Sequence, residues 1–450
     1  MKTLRPVTRV VIGLCLACLV SPTLGAQNQT TNPNTEPPAV LSRRLEELRK
    51  EVEALRAELA QIKEQRTGAT LAAPASAATA PSAPAAASLA ATREAASVPT
   101  PAPNPLASLL GSTSLSGFVD TYYGYNFNQP RARLSGLRAF DGPSNQFALN
   151  LIEVILDRPP EAANSRLGYH LAFGFGQAMN VVNSTDPGGL GFAQYLKEAY
   201  FSYLAPVGKG LQVDFGKFVT PHGAEVIETK DNWNYSRGLL FTYAIPFYHI
   251  GLRGKYTFND KYSLAGYLVN GWNNIVDNNT GKTLGVTFGW NPTKKVSVTQ
   301  NYMAGPEMAG VNSNWRQLSD TVVTVSPTQR LSCIVNYDYG RGDRPVGLAN
   351  PVFWTGVAGY VRYAFDDRYA IVTRYEYFND HDGFTTGTAQ HLNEFTGTFE
   401  RRVARHLITR LEFRRDTSNR PAFLKGNAPA TSQDTVAAGL VYTFDTRESR

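Results

Sequence analysis

T-V-A-A-G-L-V-Y-T-F, Thr435–Phe444, alternates bulky apolar residues with small or polar ones. Side chains along a strand point to opposite faces in turn, so Val436, Leu440, Tyr442 and Phe444 share one face. One such strand fits the edge of a soluble sheet as well as the wall of a barrel. The remainder of the chain decides between them.

Working upstream, the same texture recurs back to Ser114. It predicts sixteen short strands between Ser114 and Phe444, with turn residues between them. Tyr248, Ile250, Leu252, Tyr256 and Phe258 share a face, against His249, Arg253 and Lys255. Tyr369, Ile371, Tyr375 and Tyr377 oppose Arg374 and Glu376, and Leu407, Leu411 and Phe413 oppose Arg410, Glu412 and Arg414. Glu153 and Lys197 are assigned to neither face by this alternation. The connections sort by length. Tight links fall at Pro206–Lys209, Asp260, Asn291–Lys294, Pro327, Asp366 and Val403, while 128–144, 179–193, 219–245 and 417–431 are long. Short turns at one end, long loops at the other and an even strand count describe a transmembrane antiparallel β-barrel of about 16 strands, with both termini in the periplasm. Aromatic residues near strand ends, such as Tyr122, Tyr203, Phe365 and Phe444, fit girdles at the membrane interfaces.

Composition agrees. Charged residues are 18% of the 450, and beyond the N-terminus no run of 18 apolar residues occurs, which excludes a helical membrane protein. Barrel strands dilute hydropathy by alternating lipid-facing with lumen-facing side chains.

The N-terminal part reads differently. Residues 1–26 have the form of a secretory leader: basic Lys2, Arg5 and Arg9, apolar Val10–Val20, and small Gly25 and Ala26 at a plausible cut. Cys15 and Cys18 would leave with it, so Cys333 alone would remain and no intrachain disulfide is possible. The remaining charge is mildly basic, too little to imply nucleic acid. Residues 27–37 show no pattern and are expected to be disordered. In 38–66, Leu41, Leu45, Leu48, Val52, Leu55, Leu59 and Ile62 recur every 3.5 residues on average, which predicts a coiled-coil helix or, failing a partner, an amphipathic helix on the barrel. Residues 67–113, rich in Ala, Pro, Ser and Thr, form a linker, and 445–450 a short tail.

Two resemblances sharpen this reading. Gly439, Tyr442 and Phe444 resemble the Gly-x-x-aromatic-x-aromatic insertion signal of bacterial outer-membrane barrels, although Asp445–Arg450 follow the Phe here. F-G-K-F-V-T-P-H-G-A-E-V-I-E (Phe215–Glu228), N-W-N-Y-S-R (Asn232–Arg237) and A-I-P-F-Y-H-I-G (Ala244–Gly251) resemble the OmpL-like β-barrel porin family, second group, a likeness that runs over roughly 115–444. The resemblance implies a bacterial outer-membrane location and a water-filled channel for small hydrophilic solutes or ions. It supplies no catalytic residues and no cofactor. Trimeric association, typical of general porins, is implied for this chain as a homo-oligomer.

A pore needs a polar lumen narrowed by charges. Alternation turns Arg253, Lys255, Arg362, Arg374, Arg410 and Arg414 inward, with Asp120, Glu198, Asp214, Glu376, Glu394 and Glu412. In general porins of sixteen strands the third external loop folds into the lumen. Here that position is 219–245, whose Val226, Ile227, Trp233, Leu239, Leu240, Phe241 and Ile245 would avoid water only against a wall. The expected constriction is therefore Glu225, Glu228, Asp231 and Arg237 from the loop, facing Arg253, Arg362, Arg374 and Arg410, with Lys230 beside them. Opposed charges of this kind would set up a transverse field. An enzyme is the weaker expectation, since His170, His222, His249, His381, His391 and His406 are scattered without a nucleophile or metal spacing. A structural tether or adhesin, joining barrel to cell wall through the coiled coil, remains the alternative.

Overall fold

The computed structural model describes residues 113–184, 193–342 and 350–449. The predicted leader (1–26), residues 27–37, the coiled-coil helix (38–66) and all but the last residue of the linker lie outside the described residues.

The strands are β1 (Ser114–Asn126), β2 (Gln146–Arg158), β3 (Leu167–Phe175), β4 (Leu196–Ala205), β5 (Leu211–Val219), β6 (Tyr248–Thr257), β7 (Tyr262–Val269), β8 (Thr283–Thr293), β9 (Val296–Met308), β10 (Val311–Val325), β11 (Leu331–Gly342), β12 (Val352–Ala364), β13 (Tyr369–Asp380), β14 (Gln390–Ala404), β15 (Leu407–Ser418), β16 (Phe423–Lys425), β17 (Ala428–Ala430) and β18 (Ser432–Asp445). Sixteen of them close one antiparallel barrel, and β16 and β17 form a separate hairpin in the last long connection. Closure is made by β1 against β18, from Ser116 opposite Asp445 to Asn126 opposite Thr435. It leaves no unpaired edge, which hydrocarbon would not tolerate. A short helix, α1 (Gln177–Val182), lies in the β3–β4 connection.

Burial is inverted relative to a soluble protein. Phe201, Phe215, Leu252, Leu284, Phe395, Leu411 and Leu440 are exposed on the outer face, while Arg374, Glu376, Glu394, Arg410, Glu412 and Arg414 are buried on the inner one. An apolar outer surface is stable where lipid, not water, covers it.

Departures from strict alternation have local causes. A register shift between β3 and β4 turns adjacent Lys197 and Glu198 both inward, and another in β2 does the same for Asn150 and Leu151, bringing Glu153 inside. Glu153 and Lys197 then pair at 2.6 Å. Tyr248, expected on the outer face, is buried inside; Tyr122, expected in a girdle, is buried too, on the inward face it shares with Asp120, whereas Tyr203 and Phe365 are exposed as girdle residues should be. Tyr122 lies 5.5 Å from the Tyr235 ring, and the Tyr248 hydroxyl donates to the Asn273 carbonyl at 2.7 Å. The stretch 305–313 is a hairpin tip: β9 and β10 extend until only Ala309 and Gly310 join them, with Gly310 in the left-handed region at φ +69°.

Candidate functional site

The β5–β6 connection leaves the barrel wall and runs inside the lumen. Its irregular backbone needs partners wherever it is buried. The wall supplies them on almost every side, mostly as charged side chains, which make the stronger hydrogen bonds. Gly223 N donates to Asp320 Oδ2 at 2.9 Å and Ala224 N to Asn336 Oδ1 at 2.9 Å, tying the entry to β10 and β11. Across the lumen, Arg410 of β15 donates to the carbonyls of Thr229 at 2.6 Å, Asn232 at 2.6 Å and Asn234 at 3.2 Å. Glu412 accepts the amides of Tyr235 and Ser236 at 2.6 and 3.0 Å, and Arg414 donates to the Arg237 carbonyl at 2.7 Å. The Tyr235 hydroxyl donates to Asp120 of β1 at 2.7 Å. On the return, Leu239 N donates to Glu376 of β13, and Trp354 Nε1 of β12 to the Ala244 carbonyl at 3.1 Å.

Apolar packing completes the anchorage. Ile227, Leu239, Leu240, Phe241, Ala244 and Ile245 are buried with Trp354, Tyr360, Phe378 and Val441 of the wall. Phe140, from the β1–β2 connection, sits 5.5 Å from Phe241 and 5.6 Å from Phe247. Trp233 packs against this cluster, but Val226 is exposed. Gly439 has a role here that the terminal motif does not suggest. A Cβ at that position would lie 2.2 Å from the Tyr235 ring, so the missing side chain on β18 is what admits the tyrosine.

The expected constriction residues come together in part. Glu225 bonds Arg374 at 2.6 Å, as anticipated. Arg374 also holds Glu394 at 2.8 Å and the Ser236 carbonyl at 2.7 Å. Glu228 instead meets Lys197. Asp231 pairs with its neighbour Lys230 at 2.5 Å, and its side chain is 53% exposed. The Arg237 guanidinium points at the Tyr235 carbonyl (3.0 Å) and the Ile227 carbonyl, with Phe140 beneath it at 5.1 Å. Arg253 and Arg362 touch no charged group of the segment: Arg253 pairs with Asp214 at 2.8 Å, and Arg362 with Glu400 at 3.2 Å. Of the loop carboxylates, Glu225 alone meets one of the four arginines expected opposite it. Most charges are matched locally, because an unpaired charge in so enclosed a space would be expensive. Water-accessible charge is left at Asp231, Lys230, Lys255 and Arg362. A cavity of about 340 Å³ opens beside Lys230, lined by Ser116, Asp157, His170, Asp445 and Arg447.

Sequence reasoning missed Asp320, Asn336 and Trp354, which parity along β10–β12 could have found. Phe140 carried no signal. Burial, and then neighbouring His249, push the His222 imidazole down to about 3, so it sits neutral. Among the described residues no group of three or more His, Cys, Asp or Glu side chains could hold a metal ion.

A sixteen-stranded barrel with an apolar belt, entered by one of its own charged connections, is the architecture of outer-membrane porins. The family described as "Putative beta-barrel porin-2, OmpL-like" matches residues 112–444, and the chain belongs to it. No curated protein matches the chain. Solved structures similar to it include OmpT, an outer membrane protein of Vibrio cholerae (11% identity, 74% of this chain and 97% of that one, TM-score 0.49). The outer membrane channel DcaP of Acinetobacter baumannii (12%, 74% and 97%, 0.49) and an anion-selective porin from Comamonas acidovorans (10%, 74% and 99%, 0.49) are others. Likenesses so distant carry no argument about solute.

Proposed function

We propose that this outer-membrane barrel is a porin passing small hydrophilic solutes or ions by passive diffusion, with residues 220–247 as its constriction and the short turns facing the periplasm. The observation that carries this is the wall-pinned segment inside the lumen, with water-accessible charge left beside it at Asp231, Lys255 and Arg362. A solute would thread between paired charges, so passage is narrow and sensitive to charge. Glu225, Glu228, Arg237, Arg374 and Arg410 shape the gap by holding the segment, and Arg253 lines the wall beyond it.

Planar-bilayer recording tests this. The wild type should give discrete, small open-channel steps. Glu225→Gln with Glu228→Gln removes two negative charges from the lumen and should move the reversal potential toward anions. A folded double variant with the wild-type potential would place these carboxylates outside the ion path, and a barrel that never conducts would favour the tether.

We also propose that the chain assembles as a homotrimer, with Leu41–Ile62 bundled in the periplasm, because a 3.5-residue apolar repeat needs a partner. Cross-linking should lose its oligomer band when Leu48 and Leu55 become Asp. An undiminished band would assign assembly to the barrel wall instead.

A further inference from the structure

Apart from the channel, the short-turn end carries a charge pattern of its own. Backbone hydrogen bonds stitch its turns into one continuous rim. Asn291 N donates to the Lys261 carbonyl at 2.8 Å, Ser326 N to Lys295 O at 2.8 Å, Ala364 N to Arg330 O at 2.8 Å, and Arg402 N to Arg368 O at 2.8 Å. The rim so joined presents Lys261, Lys294, Lys295, Arg330, Arg368 and Arg401, all exposed. None of the six is in an ion pair within the described structure. Lys295 Nζ meets only the Pro327 carbonyl, at 2.8 Å, and Arg401 lies 5.8 Å over the Tyr369 ring. The acids on the same turns are Asp260, Asp366 and Asp367, and Asp366 is occupied by the amides of Arg368 and Tyr369 at 2.7 and 2.8 Å. At the opposite end of these strands the described connections offer fewer cations: Lys282, already paired with Asp277 at 2.5 Å, and Arg420 and Lys425 after β15, while Asp382 pairs with His381.

Depth decides what this rim meets. Directly beside it on the outer face stand Tyr262, Trp290, Tyr363, Phe365 and Phe399, all exposed. Aromatic side chains of this kind mark the level of the lipid headgroups. Long basic side chains next to them reach the phosphate layer while their stems stay on the apolar belt.

We propose that the rim formed by the turns from β6–β7 to β14–β15 binds anionic phospholipid headgroups of the leaflet it meets. Unpaired cations with flexible stems complement a phosphate-bearing, net-negative headgroup, and each contributes through the surface potential. A zwitterionic headgroup carries its own ammonium and gains much less. The site is continuous with the lipid-facing belt, so the occupant is membrane lipid rather than a soluble anion.

Two tryptophans make the test internal. Trp290 is 39% exposed on the outer face at the basic end, and Trp315 is 40% exposed on the outer face at the other. The full chain is reconstituted in phosphatidylcholine vesicles containing a minor share of brominated phosphatidylglycerol, or the same share of brominated phosphatidylcholine. The emission lost on Trp290→Phe and on Trp315→Phe isolates each reporter. Brominated phosphatidylglycerol should quench Trp290 roughly threefold more strongly than brominated phosphatidylcholine, with no preference at Trp315. The preference should vanish in Lys261→Gln, Lys294→Gln, Lys295→Gln, Arg330→Gln combined, and fade at high salt. Equal quenching of Trp290 by the two lipids in the wild type would overturn the proposal, whether or not the combined variant folds. So would a preference that survives in the folded variant. Neither readout depends on conductance, so the lipid site and the channel fail or stand separately.

Discussion

Replacing Gly223–Ile245 by a short flexible linker is expected to raise single-channel conductance about tenfold, because barrels of sixteen strands otherwise enclose an aqueous channel. The wall should survive the operation. Thr220 N bonds the Phe247 carbonyl at 3.0 Å and Val219 lies opposite Tyr248, so the cut ends are already adjacent. Asp120, Arg410, Glu412 and Arg414 would then face water and hydrate. Stability should fall all the same. Ile227, Leu239, Leu240, Phe241 and Ile245 are buried, each burial being worth about 1.5–3 kcal/mol. The unfolding temperature should therefore drop while the conductance rises. A folded excision variant with wild-type conductance would show that ions already bypass the segment.

Arg374→Leu should do the most damage of any single substitution in the lumen. The Arg374 side chain has no exposed surface and binds Glu394, Glu225, the Ser236 carbonyl and, at 3.2 Å, Thr396 Oγ1. Its loss leaves Glu225, Glu376 and Glu394 enclosed together with one cation fewer. Breaking a buried ion pair by removing one partner costs about 3–5 kcal/mol. The cost can be relieved if the segment swings away, so the expected signature is a lower unfolding temperature with noisy, larger channel openings and tryptic cleavage after Lys230 or Arg237. Arg362→Gln is the comparison, since Arg362 is 26% exposed and holds Glu400 alone at 3.2 Å, a contact worth under about 1 kcal/mol. Equal stability and equal protease resistance of the two variants would deny Arg374 its part as the pin.

Strand number and wall orientation were legible because they rest on a period of two, which needs no knowledge of neighbours. Arg374 and Glu376 could be turned inward from Tyr375 and Tyr377 alone. The rule failed where the backbone slips by a residue. At Lys197 and Glu198 both side chains enter the lumen, and no local composition marks that shift. It failed again at Tyr248, whose strand begins where the chain comes out of the lumen, so the residue is buried on the side that alternation assigns to lipid.

The in-folded segment was legible in outline only. Too many apolar residues for a surface loop, Leu239, Leu240, Phe241 and Ile245 among them, announce that 219–245 is buried somewhere. Which wall groups it meets was not readable. Glu225 finds Arg374 149 positions away, and Arg410 finds the Thr229 carbonyl 181 positions away. Such pairings depend on where barrel closure puts each strand around the circumference.

The sequence by itself determined the barrel, its sixteen strands, its apolar belt and the charged character of its lumen, because each follows from alternation and loop length. Only the tertiary structure decided how those charges are spent. Closure brought Arg374, Arg410, Glu412 and Arg414 onto the backbone of one crossing segment, and let Gly439 admit Tyr235. Buried backbone amides and carbonyls take the nearest strong partners, and nearness across a closed barrel is not written in sequence order.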